Sequence, residues 1–90
     1  MEWKLFADLA DVAGERRVEV ETDAETAGEA LEALLEAHPD LRGRVLEESG
    51  DLVEHVNLLH NGENVAGAEG LGRPVSPEDE LALFPPVSGG

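Results

Sequence analysis

The chain has 90 residues, enough for one small domain with a single compact core but too few for a deep enzymatic cleft. It contains no cysteine, which excludes disulfides, thiolate metal sites and a cysteine nucleophile. The formal net charge is −15, from 21 acidic and 6 basic residues, so binding to nucleic acid or to an anionic membrane surface is unfavourable.

The N-terminal residues, the lack of cysteine and the acidic composition indicate the cellular compartment of the protein. The first residues lack the basic region and long apolar run of a signal peptide, and no stretch approaches the ~20 apolar residues that span a bilayer. With the lack of cysteine, this predicts a cytoplasmic protein. Two explanations fit the acidic composition. Surface acids keep a protein soluble in concentrated salt, where a Debye length of about 3 Å at ~1 M weakens the repulsion between them, or they steer the chain towards a basic partner. Because Lys4 is the only lysine, we favour salt adaptation.

The first half of the chain changes from an alternating to a helical period. Residues 2–8 predict a strand with Phe6 on its outward side, residues 11–15 a turn, and residues 16–21 an antiparallel partner strand. A capping box at residues 26–29 opens a helix that Pro39 ends. Its inward positions are predicted to be Ala27, Leu31, Leu34, Leu35 and His38.

The second half returns to strands. Residues 41–46 predict a short helical turn over the core, and Val56, Leu58 and His60 point inward ahead of an Asn-Gly hairpin turn at residues 61–62. Residues 76–79 predict a capped turn with proline at the first helical position, before a last strand that Pro85-Pro86 ends. The order of elements predicts an α+β fold, a mixed four- to five-stranded sheet with one main helix packed on one face. Parallel pairing of the first and last strands at the centre would make it a β-grasp.

The diglycine at the end, Gly89-Gly90, is the most informative motif. Two residues without side chains can enter a narrow channel of a partner enzyme and present the Gly90 carboxylate for activation. A frayed and inert end is the alternative, since chain termini are often poorly ordered. We expect residues 1–86 to form the domain and residues 87–90 a flexible tail.

Three large apolar residues are predicted to lie on the outward side of the sheet. Alternation places Phe6, Leu59 and Phe84 there, and both phenylalanines of the chain fall in this group. Such a group indicates a partner-binding patch, although scattered exposed apolar residues are also normal.

The other chemistry-bearing residues predict neither a metal site nor a catalytic site. The alternation places His55 and His60 on opposite faces of a strand, and His38 falls at a helix end. Ser88 has no neighbouring histidine and acid to activate it. Asp79 and Glu80 are adjacent on an extended chain, so their carboxylates point apart and predict a solvated turn.

Five segments together carry a resemblance to a known family. The sequence resembles the β-grasp, ubiquitin-like proteins of the MoaD/ThiS type, and specifically the small archaeal modifier proteins; MoaD is the small subunit of molybdopterin synthase. The final strand leading into Phe-Pro-Pro-Val-Ser-Gly-Gly is the most specific part, and the one departure is Glu78, where the family usually has glycine. The segments are residues 4–9, 26–31, 56–57, 61–63 and 79–90.

The resemblance implies a function that starts at Gly90. An E1-like enzyme would adenylate the Gly90 carboxylate with ATP, and the product would become a thiocarboxylate for molybdopterin synthesis or an isopeptide bond to target lysines. The chain itself would bind no cofactor and would not be an enzyme, although it could act as the small subunit beside a MoaE-like large subunit. The segment Pro85, Pro86 and Val87 would join the partner-binding patch.

The resemblance leaves further expectations and alternatives. Lys4 and the N-terminal amine are the only internal acceptors for polymeric attachment. The free chain is expected to be a monomer. The alternatives are a sulfur carrier only and, from another class, a passive interaction module whose tail is inert.

Overall fold

A computed structural model describes residues 1–50, 52–53, 56–65 and 70–85. A five-stranded mixed sheet packs against helices on one of its faces. The strands are β1 (Glu2–Leu5), β2 (Arg17–Glu19), β3 (Asn57–His60), β4 (Glu63–Val65) and β5 (Glu80–Phe84); the helices are α1 (Asp8–Ala13), α2 (Ala27–Ala37) and α3 (Arg42–Val45), with a 3₁₀ turn at Pro39–Leu41.

The sheet has the strand order β2-β1-β5-β3-β4. β1 and β5 pair in parallel at its centre, with Trp3 opposite Leu81 and Leu5 opposite Leu83. All other neighbouring strands are antiparallel. This arrangement confirms the predicted β-grasp: a hairpin, a crossing helix and a last strand inserted beside the first.

The core lies between the sheet and α2. Alternation along the strands turns one side chain in two towards the helix, so Trp3, Leu58 and Leu83 have no exposed surface. The apolar stripe of α2 covers them, as the helical period predicts. The short helical turn over the core is also confirmed, since Leu41 and Val45 are fully buried. The indole Nε1 of Trp3 has no hydrogen-bond partner among the described residues.

The capping box at the start of α2 is present in altered form. The Thr26 hydroxyl accepts a hydrogen bond from the Glu29 backbone N–H at 3.2 Å, as predicted. The Glu29 carboxylate accepts from the N–H of Glu25, one residue before the cap, at 3.3 Å. The first turn also packs tightly, because a Cβ on Gly28 would lie 3.0 Å from the carbonyl oxygen of Leu71.

The segment after the first strand corrects the prediction. β1 ends at Leu5, and helix α1 occupies positions expected to be strand and turn. Ala7 breaks the strand with a φ of 53° and is exposed, whereas the alternation of a strand over residues 2–8 would have turned it inward. Leu9, Val12 and Ala13, at helical spacing, then pack on the core. Gly14, in the left-handed region with a φ of 84°, ends the helix.

The turn between β3 and β4 and the turn before β5 both follow the prediction. Asn61 and Gly62, with φ of 50° and 84°, form the tight turn that their sequence predicts. Glu78 has no left-handed φ, so the turn before β5 does not need the glycine that usually stands there in the resembled family. The turn is closed by Asp79, whose side chain accepts a hydrogen bond from the Ser76 N–H at 2.8 Å.

Candidate functional site

The outward face of the sheet carries a stacked pair of aromatic rings. Phe6 follows β1 and Phe84 is the last residue of the parallel neighbour β5, so the two side chains meet on the face opposite α2. Their ring centroids lie 4.1 Å apart with an interplanar angle of 10°. Phe6 is 38% exposed, and it is the one large apolar residue classed as exposed among the described residues. Phe84 is half-buried.

Leu59 lies one side-chain row away from this pair. It is half-buried and stands opposite Ala82 of β5, whereas Phe84 stands opposite Asn57. The predicted outward placement of Phe6, Leu59 and Phe84 is therefore observed. We call these three residues the apolar patch. That a partner binds there stays a prediction.

Lys4 lies in the same row as Leu59, across Ala82. Its ammonium is 3.2 Å from a carboxylate oxygen of Glu80 on the neighbouring strand. Both side chains are partly exposed, so this contact contributes little stability and leaves the amine accessible. The adjacent Asp79 has a different partner, the Ser76 backbone N–H, so the carboxylates of Asp79 and Glu80 do not form a pair.

Pro85 is the last residue that the structure describes, directly after Phe84, and it is half-buried. The remaining predicted site residues, Pro86, Val87, Gly89 and Gly90, lie outside the described residues, as do Ser88 and His55. The expected boundary between the domain and its tail therefore stays a prediction.

The opposite end of β5 carries a polar network that the sequence analysis did not predict. His60 Nδ1 accepts a hydrogen bond from Arg73 Nε at 2.9 Å, so Nε2 carries the ring proton and donates to Asp79 Oδ2 at 2.7 Å. Arg73 also donates to Glu63 at 2.6 Å. His60, predicted to face inward, is thus a buried histidine with both ring nitrogens satisfied.

This network lowers the pKa of Asp79 to about 2. The main cause is the hydrogen bond from His60, followed by the bond from the Ser76 backbone N–H and by the Asn61 side chain. The charge pattern alone gave no sign of it, because Asp79 and His60 are 19 residues apart. The one available signal was His60 itself, a polar residue at an inward position next to a turn.

The described part of the chain holds no group of three histidines and acids close enough together to bind a metal ion. His38, at the end of α2, lies 3.7 Å from Glu15. Among the described residues, no helix is long and apolar enough to cross a bilayer.

A helix-packed sheet with parallel central strands and a C-terminal segment leaving its middle strand defines a ubiquitin-like β-grasp protein. Residues 3–90 match the ThiS family, and the chain belongs to that family. It is 57% identical over 91 residues to small archaeal modifier protein 1 of Haloferax volcanii, with all of both chains covered.

Solved structures agree with this assignment. The crystal structure of the Haloferax volcanii modifier superposes with a TM-score of 0.89 at 57% identity, covering 100% of this chain and 98% of that one. A chain from the Amycolatopsis orientalis BexX/CysO complex superposes with a TM-score of 0.82 at 27% identity, covering 99% and 98%. The Haloferax relative is a small modifier protein, and its halophilic source fits a salt-adapted acidic surface.

Proposed function

We propose that the chain is a ubiquitin-like modifier and sulfur carrier that an E1-like enzyme activates at the Gly90 carboxylate. The observation that carries this proposal is the full-length match to small archaeal modifier protein 1. A supporting observation is the central strand β5, which leads directly into the C-terminal segment from the middle of the sheet.

The chemistry begins with a poor electrophile. Attack on a carboxylate would add negative charge to a group that is already charged. An oxygen of the Gly90 carboxylate therefore attacks the α-phosphorus of ATP, and pyrophosphate leaves. The resulting acyl-adenylate is neutral at its carbonyl and has AMP as a leaving group.

Two nucleophiles can then displace AMP. The amine of a target lysine gives an isopeptide bond directly. A persulfide sulfur of a partner protein gives an acyl disulfide, which a thiol reduces to release the thiocarboxylate. The activating enzyme binds the ATP, and the chain needs no resident cofactor for either route.

The chain's own contribution is to dock and to present its tail. The apolar patch, extended by Pro85, Pro86 and Val87, binds the activating enzyme and, in the sulfur route, a MoaE-like large subunit. Lys4 serves as an acceptor for attachment of a second copy. We place these reactions in the cytoplasm, with the free chain as a monomer.

The decisive experiment is the intact mass of the protein isolated from its native cells. Replacement of one C-terminal oxygen by sulfur supports the carrier. In a protease digest of the same cells, target lysines that carry a C-terminal peptide of this chain through an isopeptide bond support the modifier; this peptide is longer than Gly-Gly after trypsin, because Arg73 is the last basic residue. A protein that carries neither change, and that releases no pyrophosphate from ATP with the E1-like enzyme of its own cells, would overturn the proposal.

A further inference from the structure

The arginines of this acidic chain fall into two groups, those paired with an acid and those without such a partner among the described residues. Two of the five arginines, Arg16 and Arg17, are exposed, and their side chains make no hydrogen bond or ion pair with any residue that the structure describes. The other three are each held by an acid of the same chain. Those pairs are Arg42 with Glu32 at 2.8 Å, Arg44 with Asp8 at 3.0 Å and Arg73 with Glu63 at 2.6 Å.

The two free arginines line a groove. It runs between the end of β1, the start of α1 and the residues that enter β2, and three of the six basic residues of the chain face it: Lys4, Arg16 and Arg17. Asp11 is the one acid among the described residues that faces it. The groove is therefore locally cationic in a chain whose net charge is −15. We call it the arginine groove.

The arginine groove is continuous with the apolar patch, because Phe6 forms part of its wall and stacks on Phe84. An occupant that uses both surfaces must carry carboxylates beside an apolar side chain. An inorganic anion would leave the aromatic pair unused. A nucleic acid would meet the negative field of the whole chain, including the acids Glu2 and Glu80 on the next rows of the face.

A concentrated-salt setting favours arginine for this role. At ~1 M salt the Debye length is about 3 Å, so only groups in direct contact attract each other. A guanidinium forms two parallel hydrogen bonds to a carboxylate, and that geometry persists when long-range steering is screened.

We propose that the arginine groove binds an acidic segment of the E1-like enzyme that docks on the apolar patch. The proposal rests on the function proposed above. It assigns two charged residues, Arg16 and Arg17, to recognition of that partner, beside the aromatic contact.

The first test compares two double variants of equal charge in the adenylation reaction, followed by pyrophosphate release. Arg16→Gln with Arg17→Gln should raise the KM for this chain about tenfold and leave kcat unchanged, because docking weakens and the tail is intact. Arg42→Gln with Arg44→Gln removes the same charge from the region around α3 and should leave KM within about twofold of the wild type.

The second test uses the wild-type chain and synthetic peptides, with backbone and arginine side-chain NMR signals as the readout. A peptide of alternating glutamate and leucine should shift the signals of Arg16, Arg17 and Phe6 together, and its glutamine–leucine counterpart should not. Equal shifts from the two peptides, or from inorganic phosphate and the acidic peptide, would overturn the proposal.

The outcomes separate the two proposals. If the wild-type chain is not adenylated, the proposed function fails. If the wild-type chain is adenylated but the Arg16 and Arg17 variants have an unchanged KM, only the arginine groove proposal fails. Should the double glutamine variant fold poorly, the peptide titration of the wild-type chain decides the question.

Discussion

The two ends of β5 make opposite use of their side chains. At the start of the strand, Asp79 is bonded to His60 and to the Ser76 backbone within the same chain. At its end, Phe84 stacks on a phenylalanine that remains 38% exposed. The first end satisfies its polar groups internally and so stabilises the fold. The second end leaves apolar surface available to a partner.

The comparison can be tested because the two ends are far enough apart to act independently. Five residue steps of extended chain, from Asp79 to Phe84, separate the network from the aromatic pair by roughly 16 Å. Substitutions at that separation usually have additive effects on stability. We therefore expect changes at the start of β5 to alter stability alone, and changes at its end to alter partner binding first.

Deletion of Gly90 should have the largest effect. Adenylation and every later transfer should be lost, since Val87-Ser88-Gly89 would be too short to reach the same position in the activating enzyme. The unfolding midpoint should stay at the wild-type value. Pyrophosphate release and thermal unfolding measure the two quantities. If neither the wild-type nor the shortened chain is adenylated and both bind partner proteins equally well, the passive module with an inert tail is favoured.

Phe84→Asp should weaken activation without unfolding the chain. Loss of a central aromatic contact typically costs about 2 kcal/mol of binding, which corresponds to a roughly 30-fold higher KM in the adenylation assay. Gly43→Asp is the control, because it adds the same charge at an exposed position of α3, where a side chain has open space and lies away from the apolar patch. Unchanged adenylation of Phe84→Asp would show that the apolar patch is not the docking surface.

His60→Ala should destabilise the chain by about 2 kcal/mol, because it removes a buried imidazole and leaves the half-buried Asp79 and Arg73 without their partner. Chemical denaturation measures this loss. His38→Ala is the control, since its contact with Glu15 is longer and more exposed and should cost less than about 1 kcal/mol. Adenylation by the folded His60→Ala chain should match the wild type, and a raised KM would contradict the division between the two ends.

Most of the fold followed from local signals in the sequence. Three local patterns predicted their structures correctly, because neighbouring residues determine them: the capping box, the Asn-Gly turn, and the alternation of β3 and β5. Helix α1 was missed because Leu9, Val12 and Ala13 span little more than one turn. So short a period is hard to separate from the end of a strand, and the break at Ala7 depends on a left-handed φ that alanine rarely adopts.

The site was predicted unevenly for the same physical reason. Phe6, Leu59 and Phe84 were placed outward because a strand's period of two fixes the face of each residue. The network of His60, Asp79 and Arg73 joins segments far apart in sequence, and no local pattern encodes that contact. The cationic character of the arginine groove likewise depends on which arginines the fold leaves unpaired.

The smallest expected effect is a pH dependence at the structural end of β5. The pKa of Asp79 is lowered from 3.8 to about 2 in the folded chain, so between these values the unfolded chain binds more protons than the folded one. The stability that Asp79 contributes is therefore fully present above pH 3.8 and is lost as the pH falls through about 2.

The free energy of unfolding of the Asp79→Asn variant should therefore be lower than that of the wild type above pH 3.8. This difference should become smaller as the pH falls from 3.8 to about 2. Free energies of unfolding from denaturant titrations at several pH values, at constant high salt, measure the difference. Ser76→Ala keeps the backbone N–H that bonds Asp79 and should retain the wild-type profile. A difference that stays constant down to pH 2 would show that the His60 and Ser76 contacts do not hold the charged carboxylate, and the start of β5 would then lose its assigned role in stability.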